Sequence, residues 1–362
     1  MAFVLEEENQ HNVARSETDG NPMSDLLPPV ARFESNTNVR IYRVSCRAFP
    51  GLVTHVYLVV GAGPVTLVDT GSGFGDSTAD LFAGFEAIRR EFGESAGADA
   101  IERILITHGH HDHFGGLVQF RGRITAEVGI HPLDRWVLTA YEERLVVATH
   151  GIRAFLKRAG CAPDKESALV ARYLSTKKDV RSQPVDFLLE DGARLDGLEF
   201  IHVPGHCPGQ VCIRVGDILL TADHVLPRTT PHQSPESITA STGLRHYLES
   251  LDKIGRLEGI RLCLGGHEEP FTGLRERTAA IRQDHLGKLD RIRALFGGST
   301  LTMDELATRM YPKVEGWHVL LAIEEVGAHV EYLYERGELA VDNVAELESE
   351  DTPALRFRVR AP

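Results

Sequence analysis

The stretch RILITHGHHDHFGG, residues 103–116, constrains this chain more than any other. Four histidines and an aspartate fall within six positions, directly after an apolar run and directly before two glycines. RILIT reads as a buried strand. Imidazole and carboxylate groups at such a strand end are ligand types that divalent transition metals favour when a rigid backbone presents them. His108 and His110 lie two apart and project the same way from an extended strand end, whereas Asp112 and His113 begin the next turn. His111 falls between them and faces the other way. Gly115 and Gly116 let the following helix approach closely. One short loop can therefore aim ligands at two adjacent metals.

The flanking sequence supplies a frame for that loop. VRIYRVS (39–45), HVYLVVG (55–61) and VTLVDTG (65–71) read as successive strands, TADLFAGFEAIRREFG (78–93) as a helix, and RILIT as the next strand, an α/β layered pattern. Residues from about 131 to 190 read as a helical insertion. In it Leu133, Trp136, Val137, Ala140 and Tyr141 occupy one face of a helix and offer an apolar wall or lid. Strand signals return at 198–205, 210–216, 217–223 and 260–266. Beyond 274, Ile281, His285, Leu289, Ile292 and Phe296 are spaced as one helix face, and Thr302 with Glu305 makes a capping box. Val319, Ile323, Val326, Val330 and Leu333 mark a third helix, and ALRFRVR alternates like an edge strand. Three helices closed by a short hairpin suggest a winged-helix-like module.

Further metal-ligand types recur where apolar strands end. VPGHCPGQ carries His206, LLTADHVLP carries Asp223, and LCLGGHEEP carries His267. With LVDTG, HxHxDH, the bridging aspartate and the final GH in this order, the chain resembles the metallo-β-lactamase-fold hydrolases over residues 39–272, in the branch that includes glyoxalase II and other thioesterases. The resemblance implies an αββα sandwich over 33–273, interrupted at 131–190 by the helical insertion, which has no family counterpart; the polar first residues read as a flexible arm (1–32), and the winged-helix-like module spans 274–362. That module resembles the one in β-lactamase-like endoribonucleases.

The resemblance further implies that His108, His110 and His206 hold one metal and Asp112, His113 and His267 the second. Asp223 bridges them, and Asp69 orients a ligand. The ions are expected to be zinc, with manganese or iron as alternatives. A metal-bridging hydroxide then attacks a thioester or carboxylic ester of an acyl-CoA-like or related small substrate, with Asp112 and Asp223 as the catalytic carboxylates. Arg228 and His232, on the loop after Asp223, are candidates for holding a substrate carboxylate or phosphate. Cys207, beside His206, reads as a small apolar filler. The family's usual glycine before the bridging aspartate is replaced by Ala222. The cysteine of zinc β-lactamases is absent at Asp223, which disfavours antibiotic hydrolysis, and His110 stands where flavodiiron oxygen reductases use glutamate. A single-strand RNA endonuclease using the same ions and a metal-sensing DNA-binding regulator are the alternative readings.

Charge weighs against both alternatives. The net charge is −13, and residues 301–362 hold 13 acidic against 6 basic side chains, the opposite of a phosphate-contacting surface. Five scattered cysteines, none in a CxxC pair, suggest neither a disulfide framework nor a thiolate zinc site. With no signal-peptide pattern in the first 30 residues and no apolar run near 18 residues, a cytoplasmic protein is expected. It would act on a small molecule, without membrane or nucleic-acid partners, and homodimerisation is possible on this reading.

Overall fold

The computed structural model describes residues 27–177, 180–349 and 353–360. Two sheets pack face to face. The first runs in the order β1 (Ala31–Glu34), β2 (Arg40–Phe49), β3 (Leu52–Val60), β4 (Thr66–Val68), β5 (Arg103–Ile106), β6 (Glu127–Ile130) and β7 (Phe187–Leu188). It is antiparallel through β4 and parallel from β4 to β7. The second runs β12 (Leu262–Gly265), β11 (Ile218–Ala222), β10 (Val211–Val215), β9 (Leu198–His202) and β8 (Arg194–Leu195), with only β11 and β12 parallel.

Strand alternation divides the apolar side chains between three layers. Tyr57 and Val59 of β3 face Phe200, Ile213 and Leu220 of the second sheet. Val56 and Leu58, one position out of phase, turn to the outside. There they meet Leu81, Phe85 and Ile88 of α1 (Ser77–Phe92) and Phe120 of α3 (Leu117–Arg121), which follows the single turn α2 (His111–Phe114). Gly84 makes the helix contact possible, since a Cβ there would come within 2.2 Å of Val44. Helix, sheet, sheet and helix thus form the expected αββα layering.

The insertion contains α4 (Arg135–Thr139), α5 (Tyr141–Arg158) and α6 (Pro163–Ser175). The single face drawn through Leu133, Trp136 and Tyr141 does not hold. The helix breaks at Ala140 (φ −139°, ψ 47°), which rotates the second segment relative to the first. Trp136 is consequently 63% exposed and Leu133 50% exposed, while Tyr141 is buried.

The outer face of the second sheet is covered by α7 (Leu244–Ile254), α8 (Leu274–Phe296), α9 (Met303–Met310) and α10 (His318–Glu335), together with α5 and α6. Thr302 caps α9 through the complete capping box with Glu305. β13 (Leu339–Val341) and β14 (Phe357–Val359) pair antiparallel, with α11 (Val344–Ser349) inserted between them. The separate module expected at 274–362 is corrected by this packing. Ile281, Phe296, Leu306 and Val326 share one continuous core with Phe155 of the insertion and with Ile201, Leu219 and Cys263 of the second sheet. The three helices are followed by two strands separated by α11 rather than by a short hairpin, and they pack onto the sandwich rather than hang from it. The expected flexible arm lies outside the described residues up to position 26, and its last two residues, Ala31 and Arg32, already belong to β1. No helix among the described residues is long and apolar enough to cross a membrane.

Candidate metal centre

The candidate ligands gather at one edge of the sandwich, where strands from both sheets end. β4 delivers Asp69, β5 delivers His108 and His110, and α2 carries Asp112 and His113. From the second sheet, the segment after β9 carries His206, while Asp223 and His267 follow β11 and β12. The two sheets are tied together at this edge by a hydrogen bond from the Val211 amide to the Thr107 carbonyl, 3.0 Å.

Seven side chains converge in two overlapping groups. Ligand atoms of His108, His110, His206 and Asp223 lie within 4.8 Å of one another, and so do those of Asp112, His113, Asp223 and His267. Asp223 is common to both. Its Oδ2 lies 3.7 Å from His206 Nε2 and 3.3 Å from His267 Nε2, and its Oδ1 lies 3.4 Å from His113 Nε2. Asp112 Oδ2 is 3.4 Å from His267 Nε2.

Four of the imidazoles are oriented from behind. His206 Nδ1 donates to the His232 carbonyl at 2.8 Å, and His267 Nδ1 to the Val53 carbonyl at 2.6 Å. His113 Nδ1 donates to Asp69 Oδ2 at 2.8 Å. The Thr107 hydroxyl gives its proton to the same Asp69 oxygen at 2.9 Å, so His108 Nδ1 is the donor in its 3.0 Å contact with Thr107. Each Nε2 therefore points inward, the arrangement by which outer hydrogen bonds fix a metal-binding histidine. His113, His206 and His267 Nε2 and both Asp223 oxygens are buried with no hydrogen-bond partner among the described residues. Buried polar atoms are ordinarily satisfied; a set of orphans converging on two points fits a pair of divalent cations.

Electrostatics supports the same reading. Burial alone would depress His267, but the Asp223 and Asp112 carboxylates override it and raise its pKa to about 9. His113 is likewise held well above its ordinary value against burial, by Asp223, Asp69 and Asp112. Burial and neighbouring imidazoles keep His108 and His110 well below theirs.

Three residues not singled out from sequence shape the centre. Asp134, buried at the start of α4, accepts the Gly109 amide on Oδ2 at 2.8 Å and the Gly209 amide on Oδ1 at 2.9 Å. One carboxylate thus pins the HGHHDH loop to the loop bearing His206. Burial lifts it to about 6, against the two amide bonds. Thr107 relays Asp69 to His108, as described. Gly266 is the third, because a Cβ there would sit 2.3 Å from Asp223 Oδ1 and 2.7 Å from His113 Cε1. The only available signals were the HPLD tetrapeptide at a helix start and the double glycine before His267. Gly116 meets the expectation of close approach, since its Cβ would fall 2.1 Å from the Thr70 carbonyl. Ala222 adopts φ +45°, which accounts for glycine's usual place there.

The centre opens onto a cavity of about 220 Å³. His110, Asp112 and His206 form its floor, and Tyr141, Ile152, Tyr173, Trp317 and Leu320 contribute to its walls. The insertion and α10 therefore both face the candidate metals. Arg228 does not reach this cavity. Its side chain is 78% exposed, with Nε 3.8 Å from Glu268, and its amide donates to the same carboxylate. The expected substrate contact by Arg228 is corrected accordingly, because Glu268 draws the loop outward. His232 lines the cavity, but its Nε2 donates to the Leu321 carbonyl at 3.0 Å while its own carbonyl holds His206. The loop here orients a ligand. Cys207 is buried.

Residues 49–267 match the sequence pattern of the metallo-beta-lactamase superfamily. The chain is 29% identical over 205 residues to a probable metallo-hydrolase of Bacillus subtilis, YflN, covering 51% of this chain and 70% of that protein. A second, YqjP from the same organism, is 22% identical over 292 residues, covering 77% and 86% respectively. Among solved structures, a metallo-beta-lactamase family protein of Thermus thermophilus superposes with a TM-score of 0.71 at 25% identity, covering 88% of this chain and 98% of that one. A beta-lactamase domain protein of Burkholderia ambifaria gives 0.67 at 22% identity, with coverage of 94% and 96%. Both superpositions cover a larger share of the chain than the superfamily match does.

Proposed function

The chain belongs to the metallo-beta-lactamase superfamily, and on that premise we propose that it is a binuclear metal-dependent hydrolase of a thioester or carboxylic ester. The observation carrying this reading is the seven-residue centre, with its imidazoles fixed from behind, opening into a mostly apolar cavity. His108, His110 and His206 would hold one divalent ion, and Asp112, His113 and His267 the other, with Asp223 shared. Zinc is our first choice for both positions. When bound, such a pair supplies Lewis acidity that lowers the pKa of coordinated water and stabilises charge developing on an acyl oxygen.

The chain's own residues do the rest. Asp69 and Thr107 keep His113 and His108 in register. Asp134 fixes the spacing of the two ligand-bearing loops, the kind of positioning on which a reactive geometry depends. Asp112 lines the cavity and Asp223 does not, so Asp112 is the carboxylate of the centre that a substrate would meet. The apolar walls exclude water around the acyl chain. They suit an acyl group better than a sugar or a nucleotide.

The test pairs elemental analysis with turnover of an acyl thioester and ester panel by wild type and His110→Ala in one preparation. About two metals per chain with turnover lost in the variant supports the proposal. Two metals with no acyl turnover, but cleavage of a phosphodiester panel, overturns the substrate assignment.

A further inference from the structure

The cavity beside the centre holds two basic side chains that the chemistry above leaves unused. Both come from the insertion, Arg144 from α5 and Lys177 from the segment following α6. Arg144 Nε is buried with no hydrogen-bond acceptor among the described residues. Lys177 Nζ rests over the Tyr173 ring, 4.5 Å from its centroid. The negative charges it faces are Asp112 of the metal centre and Glu324 of α10. A buried donor without an acceptor is costly, and aromatic and aliphatic side chains make up much of the surrounding lining. Burial lowers the Lys177 ammonium to about 8 and raises the Glu324 carboxyl to about 7. Of the other carboxylates lining the cavity, Asp112 belongs to the metal centre, and Asp134, the acidic neighbour of Arg144, is already held by the Gly109 and Gly209 amides.

We propose that Arg144 and Lys177 form an anion anchor, and that the substrate carries a carboxylate joined to its scissile acyl group by an apolar segment. Arg144 offers a forked donor and Lys177 a point charge, a complementary pair for a carboxylate. Tyr141, Ile152, Trp317 and Leu320 line the path an apolar segment would follow. The carboxylate can belong to the acyl part or to the leaving group. This inference rests on the hydrolase reading given above.

The experiment compares three matched thioesters on the metal-loaded protein: pentanoyl and glutaryl thioesters of 2-mercaptoethanol, and the pentanoyl thioester of 3-mercaptopropionate. We expect one carboxylated substrate to exceed the neutral one in kcat/KM, and which one identifies the anchored side. Lys177→Met and Arg144→Met should each cut that ratio about 10- to 100-fold, mainly through KM, with Lys177→Arg restoring most of it. An unchanged ratio in both Met variants overturns the anchor while leaving the hydrolase standing. Calorimetric binding of glutarate to the same preparations reads the anchor without turnover. Binding by wild type, lost in the Met variants, supports it even if no thioester is cleaved, in which case the hydrolase reading falls alone. If glutarate binds all forms equally, or none, and no ratio changes, the anchor is wrong.

Discussion

Single side chains act here mainly by leaving no slack around the candidate ligands. Gly266 is the sharpest case, since an added methyl would collide with Asp223 and His113 together. Gly266→Ala should weaken metal binding about tenfold or more while leaving far-UV circular dichroism intact, as read by competition with a chelating dye. Asp134 acts from further away. Replacing it with alanine strands the part-buried Gly109 and buried Gly209 amides and should cost about 2–3 kcal/mol in denaturant unfolding. Asp134→Asn keeps one acceptor oxygen and should recover part of that loss. Neither residue belongs to the recognisable ligand pattern. Gly266 was visible only as part of a double glycine, and Asp134 as an aspartate in HPLD.

Elements place those residues through where strands stop. Period-two alternation in HVYLVVG and the apolar runs at 210–223 were sufficient to set β3, β10 and β11, because one-residue steps send side chains to opposite layers. β7 is only two residues long and β6 (EVGI) is interrupted by Gly129, so neither offers the apolar run that marks β5. The face assigned through Trp136 failed for a local backbone reason, the break at Ala140, which no hydrophobic spacing announces. Helix α9 is the opposite case, since the Thr302 and Glu305 capping box is local chemistry and was legible as such. Thr302→Ala should cost about 1 kcal/mol, measured as a shift of the urea midpoint, with thioester turnover retained.

At the scale of the molecule, the pH response follows from buried histidines. Burial lowers His55 and His224 to about 3 and His232 to about 4. The unfolded chain takes up these protons near the ordinary value of about 6.5, and the folded chain does not. Stability from these groups is therefore present above about pH 6.5 and lost as pH falls towards the folded values, on the order of 1.4 kcal/mol per pH unit per group. His267, raised to about 9, acts in the other sense in the metal-free protein. Its contribution is full below about pH 6.5 and lost as pH rises through about 9. The two senses oppose each other between pH 7.5 and 6.0, so urea midpoints of metal-free protein should fall chiefly between pH 6.0 and 4.5. A constant midpoint would show that the three histidines are solvated in solution.

Ligand types, their order and the strands that carry them were legible in the chain alone, because alternation, glycine turns and imidazole clusters are local features. Packing in three dimensions settled which carboxylate pins the loops, that Arg228 turns outward to Glu268, and that the C-terminal helices share the core of the sandwich. It also settled that α5, the segment after α6, and α10 meet over the centre, bringing Arg144, Lys177 and Glu324 from positions 144 to 324 into one cavity. Such juxtapositions depend on how layers stack, and burial against a distant element leaves no spacing pattern in the segment it covers.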